Sequence, residues 1–234
     1  MIEKEDLRNG HRTIKGLRHT PRVIGPKDSL DLDSFVVNTT SRSPQTWSRG
    51  LSPFYLGPVD LYDSHVAHCL ENGWQFSKVY RKHLDEDGTI SDQYWEWAQK
   101  GWQSDWAYRY PMGRGAKPEF SLWDGERLGY LEARERIYVP LYAQTVVRTE
   151  AFQKLVDLAD KKDILLFDFD AYDLNKRGIA LGEAFRDPLK KFGHGFVLYG
   201  LLTGEISLDG RFVGNLPSIE DSSRPEDDGE EFSP

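Results

Sequence analysis

The residues best placed for chemistry lie between Leu70 and Tyr80, where Glu71, Gln75 and Lys78 recur at i, i+4 and i+7. If this stretch is helical the three share one face, because seven residues advance about 700° and roughly 10 Å. Glu71 and Lys78 then point the same way without meeting, and could converge on something held between them. An acid or base facing an amine across one substrate unit is the arrangement that protonates a leaving group while a second group manages the developing cation. The same spacing also describes a solvated helix face carrying scattered charges.

Other candidates are spread along the chain. Tyr110 to Pro118 is a glycine-rich basic loop whose backbone amides, with Arg114 and Lys117, could receive a phosphate or diphosphate. It is not a Walker A sequence and follows no clear strand, so a plain structural turn reads equally well. Arg134 falls on an apolar helical stripe, where a charge needs a partner or an anionic ligand unless it snorkels at the core edge. The apolar run Ile164 to Phe167 ends in Asp168 and Asp170. A strand ending Asp-x-Asp resembles the haloacid-dehalogenase phosphatases, but that fold begins with this strand and needs a long domain after it. His194 reads as structural, at the entrance of a closing helix.

The elements that must position these residues follow from composition and pattern. The chain has 234 residues, 38% of them apolar and 13% aromatic, enough for one domain with a real core. A net charge of −8 argues against broad nonspecific attachment to nucleic acid and leaves room for a local basic cleft. The single cysteine, Cys69, excludes an internal disulfide and any cysteine-cluster metal site, and reads as a small buried apolar residue. No run approaches the roughly eighteen apolar residues of a membrane span, and the first residues lack the apolar stretch of a secretory signal. A soluble cytoplasmic protein is expected.

Residues 1–45 read as a polar N-terminal arm or edge strand, residues 46–215 as the functional domain, and residues 216–234 as an acidic disordered tail. Within the domain, Val59 to Tyr62 reads as a strand and His65 to Tyr80 as a helix capped by Asp63 or Ser64. A second helix opens at Ser91. Arg127 to Leu158 reads as one long helix broken or kinked at Pro140. Leu181 to Phe185, a closing helix from Phe192 to Leu202 and a hairpin around Asp209-Gly210 complete the chain.

Taken in order, Leu51-Ser52-Pro53-Phe54-Tyr55, then Glu71, Gln75 and Lys78, then Arg134, then Asp173 with Gly178, then a glycine-led helix from Gly193, resemble the NADAR family of YbiA-like N-glycosidases. Arg177 stands where that family carries a tryptophan before the glycine. The resemblance implies a compact, mainly helical α+β fold and cleavage of a ribose-to-nitrogen bond without metal or tightly held cofactor. It implies a nucleotide-like ligand or an ADP-ribosylated base in nucleic acid as partner. Glu71 is then the acid or base, and Lys78 a Schiff-base amine or a phosphate anchor. Phe54, Tyr55, Gln75, Arg114, Lys117, Arg134, Asp173, Arg177 and Gly178 are expected to line the ligand. Two other classes stay open: a module that binds such a ligand without cleaving it, and a structural or inhibitory interaction protein.

Overall fold

Short apolar runs separated by turn residues give short elements, and this chain builds many of them. In chain order the strands are β1 (Arg22–Ile24), β2 (Phe35–Asn38), β3 (Val59–Asp60), β4 (Val66–Ala67), β5 (Lys78–Val79), β6 (Phe120–Trp123), β7 (Glu126–Leu128) and β8 (Ile164–Phe167). The helices are α1 (Leu70–Gln75), α2 (Asp92–Trp102), α3 (Tyr130–Ala133), α4 (Val139–Val146), α5 (Glu150–Ala159), α6 (Leu174–Arg177), α7 (Leu181–Arg186) and α8 (His194–Thr203). These come from a computed structural model, which describes residue 14 and residues 16–30, 34–214 and 216. The fold is α+β with helix predominating, as expected.

β8 is the organising strand. Ile164, Leu165 and Leu166 are all buried, and β8 lies between β1 and β2, parallel to both. A strand paired on both edges and covered on both faces needs a continuous apolar run, which Ile-Leu-Leu-Phe supplies. One covering element is α8, which packs against β1, β8 and α4 and buries nearly every residue from His194 to Leu202. The segment read as an extended arm thus contributes two strands to the central sheet. The acidic stretch from Glu220 lies outside the described residues.

Two expected helices are corrected. Only α1 survives of the helix read over residues 65–80: Val66-Ala67 pair antiparallel with Val59-Asp60, and Lys78-Val79 pair with β6. Asn72 and Gly73 are weak helix formers, and the flanking residues gain more by joining strands. Asp63 and Ser64 sit at φ 47° and 63°, in a left-handed turn that caps nothing. The helix read over residues 127–158 is also divided. It begins as β7, passes through α3 into a π-helical turn at Arg134–Tyr138, continues as α4 and restarts as α5. Pro140 lies at the start of α4, where the widened turn before it absorbs the register change its missing N–H imposes. Thr149 caps α5, its hydroxyl accepting from the Phe152 amide at 3.1 Å.

The remaining elements match their sequence signals. Ser91 precedes α2, α7 ends shortly before Pro188, and Ile206 bridges Phe212 across the last turn. Cys69 is buried. Among the described residues no helix is long and apolar enough to cross a membrane.

Candidate functional site

The carboxyl ends of the parallel strands gather the polar residues of the core. β2 runs into Thr39, β8 into Asp168, and α8 points its first turn at both. Ligand sites in parallel sheets lie at this edge because the strands end there and the chain must leave in loops.

Asp168, 3% exposed, accepts the Gly195 amide at 2.9 Å and lies 3.2 Å from His194 Nδ1. The other ring nitrogen, Nε2, lies 2.9 Å from both the carbonyl and the hydroxyl of Thr39. The close approach demands glycine: a Cβ on Gly195 would lie 2.7 Å from the Asp168 Cβ, and one on Gly193 would lie 2.1 Å from its Oδ2. Asp168 also receives the Asp170 amide at 3.4 Å. It therefore serves as the bracket that fixes Asp170.

Asp170 faces outward from that bracket. Arg109 Nη2 donates to its Oδ2 at 2.6 Å, with Lys191 Nζ 3.9 Å from the other oxygen. Burial raises the Asp170 pKa and Asp168 adds to the rise, while Arg109, Lys191 and His194 oppose it. Burial works against the Arg109 cation, but Asp170, Tyr110, Glu71 and Asp168 together outweigh it, and the guanidinium is held charged.

Glu71 approaches the same charges from α1. Its backbone amide donates to the Pro53 carbonyl at 3.0 Å, and its side chain is only 6% exposed. Gln75 Nε2 donates to Glu71 Oε1 at 3.0 Å, and Lys78 Nζ donates to Gln75 Oε1 at 2.7 Å while lying 4.9 Å over the Trp74 ring. The amide thus stands between acid and amine. Burial pushes the Glu71 carboxyl above its ordinary range; the Gln75 hydrogen bond, Lys78 and Arg109 pull it partly back, and Asp170 pushes it further up. Tyr138, buried on the π-helical turn, feels Asp168, Glu71 and Asp170 together, and burial with these charges keeps its hydroxyl protonated. Such widened turns are frequent at functional sites.

The residues expected from sequence divide into two groups. Glu71, Gln75 and Lys78 form one connected chain, although Lys78 stands on β5 rather than on their helix. Phe54 and Tyr55 lie in the turn whose Pro53 carbonyl holds Glu71. Arg114 reaches the same neighbourhood through Tyr110, whose ring carries Arg109 at 5.5 Å and Arg114 at 5.9 Å. Lys117 is exposed on the same loop.

The second group has structural duties. Arg134, 2% exposed, donates to the carbonyls of Phe185, Asp187 and Lys190 and to Tyr130 Oη, and lies 4.7 Å over the Tyr130 ring. Its guanidinium latches the loop before α8 and is not presented to a phosphate. Asp173 accepts Arg22 Nη2 at 2.6 Å and the Lys176 amide at 3.1 Å, capping α6. Burial acts against its charge, but Arg22 and Lys176 hold its pKa below the ordinary value. Gly178 ends α6 at φ 62°, and exposed Arg177 lies over Tyr172 at 4.6 Å.

Sequence reasoning gave no role to Arg109 or Tyr138, and set Asp170 aside with the haloacid-dehalogenase likeness. The available signal was Asp168-x-Asp170 at the end of a buried strand, together with Gly193-His194-Gly195 opening an apolar helix. Among the described residues no group of three or more His, Cys, Asp or Glu side chains is gathered so as to hold a metal ion.

The chain belongs to a family of unknown function, DUF6939, which its residues 29–184 match. No curated protein and no solved structure matches it. The expected kinship with the NADAR family is thereby corrected: the family matched is a different one, and nothing else ties the chain to NADAR. The motif order that suggested it relied on Arg134, Asp173 and Gly178, which serve packing and capping here.

Proposed function

We propose that the protein hydrolyses a glycosidic bond between a ribose and a ring or amine nitrogen. The observation that carries this reading is Glu71: a carboxyl buried and raised in pKa, within the field of a second carboxylate, Asp170, that a guanidinium holds at 2.6 Å. Two carboxyls in one field do not both ionise readily. The proton goes to Glu71, whose hydrogen-bond donor is a neutral amide, and the charge to Asp170, which has Arg109.

That division supplies both halves of a glycoside hydrolysis. Glu71 gives its proton to the leaving nitrogen as the carbon–nitrogen bond breaks. Asp170 faces the positive charge growing at the anomeric carbon and takes a proton from the water whose oxygen bonds to that carbon. The proton then returns to Glu71 through solvent, leaving free base and ribose. Lys78 acts through Gln75, holding the amide toward Glu71. Arg109 and Arg114 suit a phosphate on the sugar. The ribose-to-nitrogen bond and the ADP-ribosyl form of the substrate both entered through the corrected resemblance; the first is kept because two carboxyls of unequal surroundings suit it, and the second is not carried forward.

The test is release of base from nucleosides, nucleoside 5′-phosphates and ribosylamino phosphates, followed by mass spectrometry. Release should be seen with at least one of these classes, and Glu71→Gln should lower it by about 10² to 10⁴. No release from any class, or a variant keeping more than about a tenth of the rate, would contradict the reading.

A further inference from the structure

Among the described residues six Phe, Trp or Tyr side chains are exposed, and five belong to segments adjoining the carboxylate cluster. The sixth, Phe35, lies under Lys162. Tyr55, 59% exposed, follows the Pro53 carbonyl that receives the Glu71 amide. Trp106, 76% exposed, and Tyr108 are tied to Asn72, the residue after Glu71: its Nδ2 donates to the Trp106 carbonyl at 2.8 Å, and its Oδ1 accepts the Tyr108 amide at 2.9 Å. Tyr110 follows Arg109, and Phe169 stands between Asp168 and Asp170.

Aromatic surface left in water is costly, and scattered single rings need no explanation. Five such rings lie on three segments that are tied to Glu71 or to Asn72 beside it by backbone groups, or that adjoin Arg109 and Asp170 in the chain. Asn72 is wholly buried, so the Trp106–Tyr108 segment is held from inside the core. The cations beside the rings suit an anion: Arg114 and Arg109, the latter already paired with Asp170, flank Tyr110 in a chain whose net charge is −8.

We propose that these rings receive the planar heteroaromatic base of a sugar phosphate, stacking on it while Arg109 and Arg114 take the phosphate. Stacking accepts any flat ring, and two guanidiniums beside it select for an anionic one. The proposal names the substrate class of the glycosidic reading and rests on that reading for the reaction, though not for the binding.

Binding can be tested apart from turnover, by calorimetry on the full chain carrying Glu71→Gln. Adenosine 5′-monophosphate and cytidine 5′-monophosphate should bind at least about tenfold more tightly than ribose 5-phosphate, the scale of one stacked base. Adding Trp106→Ala should remove about tenfold from the nucleotides and leave ribose 5-phosphate unchanged. Tyr55→Ala gives a second, independent reading at an exposed position. Equal affinity for ribose 5-phosphate and the nucleotides, absence of binding by all three probes, or loss of affinity in neither variant would overturn the proposal. If the wild-type protein releases bases while the ring variants bind normally, the stacking proposal fails and the hydrolase reading stands. If the nucleotides bind as expected but no base is released, the reverse holds.

Discussion

In the proposed reaction Glu71 is the proton donor, and its environment makes a prediction about stability as well as rate. A folded pKa above the ordinary 4.5 means that its contribution is complete below that value and is lost as pH rises through the raised one. Glu71→Gln should therefore match the wild type in urea midpoint near pH 4 and exceed it near pH 8. A difference independent of pH would contradict the burial argument. Lys78 makes a second prediction. Its charge lowers the Glu71 pKa, so Lys78→Met should shift the basic limb of base release to higher pH while leaving the rate on the acid side within about tenfold. Loss of activity at every pH, with a borohydride-trapped adduct on the wild-type lysine, would instead give Lys78 a covalent role. Spacing singled out both residues, on the assumption of one helix that the structure divides between α1 and β5. Asp170 was visible but set aside, and Arg109 gave no local signal, since only the folded chain brings it the 61 positions to Asp170.

Elements were legible where local preference and tertiary packing agreed. The buried run of β8 and the apolar helix α8 read directly, as did the start of α2, although the Ser91 hydroxyl donates to the His83 carbonyl and does not cap it. They were misread where packing overrode preference: Lys78 alternates into a strand because β6 offers it a pairing edge, and four residues of helical spacing gave no warning. The junction of β8 and α8 is the element pair on which the site depends. Gly195→Ala would force a methyl within 2.7 Å of the Asp168 Cβ, and should cost about 1 to 3 kcal/mol in chemical denaturation together with most of the base release. Thr149→Ala, which removes the α5 cap and touches none of the cluster's hydrogen bonds, should cost about 1 kcal/mol and leave the rate unchanged. Equal effects of the two on rate would mean that activity follows stability alone.

At the scale of the whole molecule, stability in acid reports on buried neutral groups. His83 is 1% exposed, and burial, with Lys82 adding to it, pushes its pKa from 6.5 down to about 4. Its contribution is present above pH 6.5 and lost as pH falls toward 4, so the wild-type urea midpoint should drop across that window and His83→Gln should flatten the drop. An unchanged slope would remove His83 from the acid response. The fold class, α+β with helix predominating, was expected through the resemblance and holds although that kinship does not. Kinship was the least, because a motif order can be shared by segments that serve different ends, as Arg134 and Asp173 do. The measurement that tests the central claim most directly is a carbon-13 NMR titration of the Glu71 side-chain carboxyl in the intact protein, assigned by comparison with Glu71→Gln. The account predicts that it protonates above 4.5, and higher still when Lys78 is replaced by Met. Titration at or below 4.5 would contradict it, because a carboxyl ionised that readily could not carry the proton the reaction needs.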